Sequence, residues 1–195
     1  GTHVAGIAAA NMPGWKMQGA APGAKIVSAK ACVYAGGCTS VALTEGMIEL
    51  VANQRVDIVN MSIGGLPALN DGNNTRSALY NRIIDEYGVQ SSSPGAGTNT
   101  IADPSVATDA VSVAAGASKE TWLANYGAKA KEEYWAQNYS SRGPREDGGF
   151  KPNIMAPGSA ISAVPMFMDP EDIPQVSYKL PVGLSMFNGS TMARP

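Results

Sequence analysis

Ala24-Lys-Ile-Val-Ser-Ala-Lys-Ala-Cys-Val33 and Val56-Asp-Ile-Val-Asn-Met61 are short, β-branched runs separated by a stretch with helical spacing. The first is bounded by Pro22-Gly23 and Gly36-Gly37, which predicts a strand. Between the two runs, Thr39 or Ser40 can cap a helix. Val41, Thr44, Ile48 and Val51 recur at steps of three and four, which predicts one apolar helix face reaching about Asn53. Val56–Met61 then reads as the next strand, ending in Ser62-Ile63-Gly64-Gly65. A second helix is expected from about Thr75 to Tyr87, with Leu79, Ile83 and Ile84 inward, and a further strand at Ala110–Ala115. Strands alternating with helices predict an α/β fold: a doubly wound, mainly parallel sheet flanked by helices. In such sheets ligands sit at the carboxyl ends of the strands, so chemistry is expected after Val33, Met61 and Val89. Residues beyond 116, with Trp122, Tyr126, Tyr134, Trp135 and Tyr139, give no clear pattern.

The chain has 195 residues, a length that suits one core. At 44% hydrophobic and 15% charged residues it can bury that core, and disorder is excluded. Fourteen basic against sixteen acidic residues leave a net charge of −2, which offers no field for a nucleic-acid backbone or an anionic membrane. No apolar run approaches the roughly 18 residues of a spanning helix. The chain opens on Gly-Thr-His and stops at Arg194-Pro195, so both ends read as cuts through a longer domain, and the fold as incomplete.

The common nucleotide and hydrolase signatures fail. No Gly-Lys-Ser/Thr pair exists, Gly95-Ala-Gly97 lacks a third Gly at dinucleotide spacing, and no G-x-S-x-G elbow occurs. His3 alone, with Cys32 and Cys38, makes a poor zinc site. The two cysteines bracket a Gly-rich loop, and a small disulfide or two unpaired thiols fit it equally. Pro157-Gly158 reads as the stop of a strand, and Asp57 as a loop-facing charge.

Four segments in order carry the information: Gly1-Thr2-His3-Val4-Ala5-Gly6; Asp57-Ile-Val-Asn-Met-Ser-Ile-Gly-Gly65; Ser140-Ser-Arg-Gly-Pro144 leading to Lys151-Pro-Asn-Ile-Met-Ala-Pro-Gly158; and Asn188-Gly-Ser-Thr-Met-Ala-Arg-Pro195. Together they resemble the subtilisin-like serine peptidases, the subtilases, over essentially the whole length. That resemblance implies a nucleophilic hydroxyl activated by a His base that an upstream Asp orients. The family's base would lie one residue before Gly1. His3 matches the second His of the motif, and reads as a packing residue on a helix. At the nucleophile the usual Thr-Ser pair is reversed: Thr191 takes the position and Ser190 precedes it. Thr191 is expected to hold the site with weak activity or none, because its methyl stiffens χ1 and crowds the approaching carbonyl. Ser190 taking over, or both hydroxyls merely capping a helix, are the alternatives. Arg194 stands where the family has a small Ser.

Where the family's Asn donates to the oxyanion, alignment through Gly97-Thr-Asn-Thr100 puts Ser93, so that donor is lost. Losing one such donor costs about 10²- to 10³-fold, a figure the field takes from subtilisin itself. Ser62, Ile63, Gly64 and Gly65 match the segment that pairs with an extended peptide, small residues leaving room for backbone and the P1 side chain. A plain Gly turn after a strand is the alternative. The resemblance therefore implies a secreted serine-type endopeptidase acting on polypeptides through an acyl-enzyme, inactive as this piece alone. The alternative is a degenerate module that binds extended peptides without cutting them. No cofactor is evident. Calcium is common in such proteins, but Asp169-Pro-Glu-Asp172 is too little to place it, so no metal ligand is assigned.

Overall fold

The computed structural model describes residues 1–15, 17–33, 37–65, 67, 69–87, 99–167 and 179–193. It opens with helix α1 (Thr2–Ala9) and a short antiparallel pair, β1 (Asn11–Met12) with β2 (Met17–Gln18). The extended stretch that follows joins a ladder only at β3 (Cys32–Val33), which pairs with β4 (Gly37–Cys38). The strand expected over Ala24–Val33 is thus shortened. Residues 24–30 are exposed, so Ile26 and Val27 do not find the two buried faces that a central strand provides. Cys32 and Cys38 are opposite residues in that ladder and form a disulfide, which settles the choice between bond and free thiols.

Helix α2 (Ser40–Ile48) begins at the expected cap, where the Thr39 hydroxyl accepts from the Ala42 N–H at 3.1 Å. It continues as a π turn over Glu49–Asn53. Met47 and Val51 go inward, while Val41 (71% exposed) and Ile48 face out, contrary to the expected stripe. Residues 56–61 are extended but carry no ladder among the described residues, so that expected strand survives only as a burial pattern. Val59 and Met61 are buried, while Asn60 between them is exposed and Ile58 just before them is 71% exposed. Asp57 is exposed, as expected. Helix α3 (Thr75–Tyr87) has the expected bounds, with Ile83 buried and Leu79 and Ile84 packed against the core. The pattern missed Tyr80, which is almost fully buried. Met47, Val51, Val59, Met61, Tyr80, Ile83, Ala107 and Ala110 make the larger core. Each large side chain in it contributes about 1.5–3 kcal/mol by leaving water.

The expected strand at 110–115 is displaced to β5 (Val113–Ser118), the middle of a three-stranded sheet. One neighbour is β7 (Ile154–Pro157), parallel; the other is β6 (Tyr134–Ala136), antiparallel. Between β5 and β6 lies α4 (Lys119–Tyr126), which the sequence left unassigned. Ser118 caps it and Gly127 ends it at φ 66°, a left-handed value that favours glycine. The stop at Pro157-Gly158 is observed, followed by β8 (Ser159–Ala163), antiparallel to β9 (Leu184–Asn188). Beneath β5, Lys151 is buried, its ammonium donating to the Thr108 and Ala110 carbonyls and to Asn153 Oδ1. Burial pushes its pKa down to about 8.

Candidate active site

The turn after β9 carries both candidate hydroxyls. Gly189, at φ 155°, swings the chain into a 3₁₀ turn, Ser190–Met192, at the place where a helix start was expected. Ala193 packs with Val113 and Ala115 of β5, so the turn is seated on the sheet. The Gly189 N–H donates to the Gly158 carbonyl at 2.8 Å, tying it to the end of β7. Arg194 and Pro195 lie outside the described residues.

Within the turn the hydroxyls differ in access. Ser190 is buried at 6% exposure, whereas Thr191 is only half-buried. Thr191 Oγ1 donates to the Ser62 carbonyl at 3.4 Å, a long bond across 129 residues of sequence. The structure therefore brings Thr191 to the first residue of the Ser62–Gly65 segment. Ser62 is itself oriented by its hydroxyl, which donates to Asn60 Oδ1 at 3.0 Å. Ile63, Gly64 and Gly65 are exposed. The Asp103 N–H donates to the Gly65 carbonyl at 3.1 Å and fixes the far end of the segment. A Cβ placed on Gly65 would meet nothing within 4 Å, so the protein's own packing does not require glycine there.

His3 lies on α1, which packs beside the Ser190–Met192 turn. It is 5% exposed, its Nε2 donates to the Ser185 carbonyl of β9 at 3.0 Å, and its ring lies 4.6 Å from that of Phe187. Burial lowers its pKa below the ordinary histidine value. This is the packing role expected of it. Ser93 lies outside the described residues, as do Val89 and Asp169–Asp172. Among the described residues no cluster of three or more His, Cys, Asp or Glu could hold a metal ion. No helix among them is long and apolar enough to cross a membrane.

Two supports were missed from sequence. Asn70 donates to the carbonyls of Asn99 and Ile101, holding the strip that leads to Asp103. Asp103 accepts from Ser77 Oγ at 3.2 Å and from Asn74 Nδ2 at 3.3 Å. The Asn70-Asp-Gly-Asn-Asn74 run, dense in turn-forming residues directly before a helix, was the available signal.

A helix-flanked α/β domain with a hydroxyl turn set against an extended Gly segment matches one family along its entire length. The model of the Subtilase family matches residues 1–195, and the chain belongs to that family. It is 30% identical over 197 residues to pyrolysin of Pyrococcus furiosus, covering 92% of this chain and 13% of pyrolysin. It is 31% identical over 202 residues to tripeptidyl-peptidase 2 of Caenorhabditis elegans, covering 100% of this chain and 14% of that protein. A shorter match, 45% identical over 64 residues, is to the minor extracellular protease Epr of Bacillus subtilis, covering 33% of this chain and 10% of Epr. Among solved structures, the patellamide maturation protease PatA superposes with a TM-score of 0.66 at 20% identity, over 99% of this chain and 60% of that one. The psychrophilic subtilisin-like protease of Pseudoalteromonas sp. AS-11 gives 0.63 at 23% identity, over 86% of this chain and 34% of that one. These likenesses show the α/β subtilisin-like fold. The chain thus spans only a small part of the length of its sequence relatives.

Proposed function

We propose that these residues form the substrate-pairing and nucleophile-bearing part of a serine-type endopeptidase domain that cleaves polypeptides through an acyl-enzyme. The observation that carries this reading is the contact of Thr191 Oγ1 with the Ser62 carbonyl. It sets an accessible hydroxyl at the head of an open, extended Gly segment on which a peptide strand can pair. In this reading Ser62, Ile63, Gly64 and Gly65 bind the peptide backbone and leave room for the P1 side chain. Thr191 attacks the scissile carbonyl: its oxygen forms the ester, its proton passes to a base, and the amine leaves with a proton returned by that base. Ser190, buried within the turn, is the weaker candidate. His3 does not serve as the base, because its Nε2 is committed to Ser185. With His3 as the chain's single histidine, this reading assigns neither the base nor the orienting Asp to a residue of these 195. Alignment gives Ser93 the position of the family's Asn, so this reading expects the oxyanion donor to be lost there. The likeness to Epr, named an extracellular protease, supports a secreted protein.

A second reading has its own support. Threonine at the nucleophile, with its hydroxyl turned onto a backbone carbonyl, fits a module that binds extended peptides and does not cut them. A fluorophosphonate applied to the full-length protein, followed by peptide mass spectrometry, separates the two. Label on Thr191 supports the endopeptidase. Its absence, while an uncleavable peptide still binds by calorimetry, supports the binding module.

A further inference from the structure

The segment from Lys119 to Tyr139 lies outside the four motifs, yet it reaches the backbone that carries Thr191 at two points. Tyr126, the last residue of α4, donates from Oη to Asn188 Oδ1 at 2.7 Å. Asn188 ends β9 and is followed directly by Gly189, Ser190 and Thr191. The phenol is held from behind: Tyr126 is buried with Leu180 and Met186, and Trp122 lies 4.4 Å from its ring. Next to it, Asn125 Nδ2 donates to both the carbonyl and the hydroxyl of Ser159, each at 3.0 Å. Ser159 is the ladder partner of Asn188, so the last turn of α4 grips both members of the terminal β8–β9 pair. On the other side, Tyr139 Oη donates at 2.7 Å to the Gly158 carbonyl, the same oxygen that accepts the Gly189 N–H. Two phenols from one segment thus bear on the approach to the hydroxyl turn, one on the Asn188 side chain and one on the carbonyl that accepts the Gly189 N–H. Gly189 would otherwise leave that approach free to rotate.

We propose that Tyr126 is a positioning residue for the Thr191 turn, acting through Asn188. The proposal deepens the reading of Thr191 as the reacting hydroxyl and rests on it. A hydroxyl must meet a carbonyl carbon within a few tenths of an ångström and a limited angle. A clamp on the preceding residue therefore bears on the chemical step more than on peptide affinity, which resides in Ser62–Gly65.

The test uses the full-length protein with Tyr126→Phe, which keeps the buried ring and removes only the oxygen. Rates are taken per folded molecule. The labelling rate of Thr191 by a fluorophosphonate, and kcat on a peptide substrate, are expected to fall about tenfold, since misplaced groups lose rate steeply. KM and the melting temperature should stay near those of the unmodified protein. Asn188→Ala approaches the bond from the exposed side and should give the same fall, and the double variant should be no slower than either single one. Tyr126→Phe labelled at the unmodified rate, two single losses that multiply, or a raised KM with kcat intact would each overturn the clamp and leave the Thr191 reading standing. No label on Thr191 in the unmodified protein would overturn both.

Discussion

Gly65 and Gly158 each follow an extended segment, and they sit in opposite surroundings. A Cβ on Gly158 would fall 2.7 Å from Ala115 Cβ and 3.0 Å from Tyr139 Oη, so packing alone dictates the residue. At Gly65 the same Cβ would meet nothing. The difference runs through the molecule. From Val113 to Ala163 the strands are paired, a buried Lys151 satisfies three acceptors, and the hydroxyl turn is pinned. From residue 24 to residue 65, pairing among the described residues is limited to Cys32–Val33 with Gly37–Cys38 and the bridge from Gly65 to Asp103, and residues 24–30 and 63–65 are exposed. One half is a scaffold that fixes a hydroxyl. In the proposed reading, the other offers Ser62–Gly65 to a peptide strand.

The contrast is open to attack at several positions. Lys151→Met should cost the most, about 3–5 kcal/mol, since it strands the buried Ala110 carbonyl and unpairs the part-buried Thr108 carbonyl; chemical denaturation would show it as a lower midpoint with unchanged slope. Gly158→Ala should cost about 1–3 kcal/mol by overpacking against Ala115, and a melting temperature within a degree of the unmodified protein would refute the crowded view of that site.

His3 gives a smaller effect, seen through pH. Burial holds its imidazole below the ordinary histidine value, so the unfolded chain takes up this proton first as the solution is acidified. Its contribution to stability is complete above about pH 6.5 and is lost as pH falls from there through the folded-state value. His3→Asn should flatten that part of the stability profile, and a slope unchanged by the substitution would contradict the assignment. The smallest effect belongs to the open half: Gly65→Ala should alter stability by no more than about 0.5 kcal/mol, as at other uncrowded surface positions.

The legible parts were those set by local chemistry. Thr39 as a cap, helix α3 from Thr75 to Tyr87, and the stop at Pro157-Gly158 depend on neighbours in sequence, and each was found in place. The buried face of α2 was misjudged: within its regular turns Met47 is the residue that goes inward, and Val41 and Ile48 of the spaced set face out, because which face is covered depends on the tertiary core. Strand pairing was legible only in part. Residues 56–61 show the expected inward Val59 and Met61, but pairing requires a partner strand that their own sequence does not specify. For the site, motif order marked Thr191 and Ser62–Gly65 before any coordinates. Which hydroxyl is accessible depends on how Gly189 turns the chain, a matter of tertiary seating on Ala193 and β5. Asn70, Asp103, Tyr126 and Asn188 act through contacts 26 to 62 residues apart in sequence, which no short motif encodes.

The central claim is that Ser62–Gly65 receives an extended peptide beside the Thr191 hydroxyl, and Gly65→Val examines it directly. Titration of an uncleavable extended peptide into the full-length protein should show affinity reduced by at least about tenfold as the new side chain blocks backbone approach, with melting unchanged. Equal affinity in the two proteins would contradict the account.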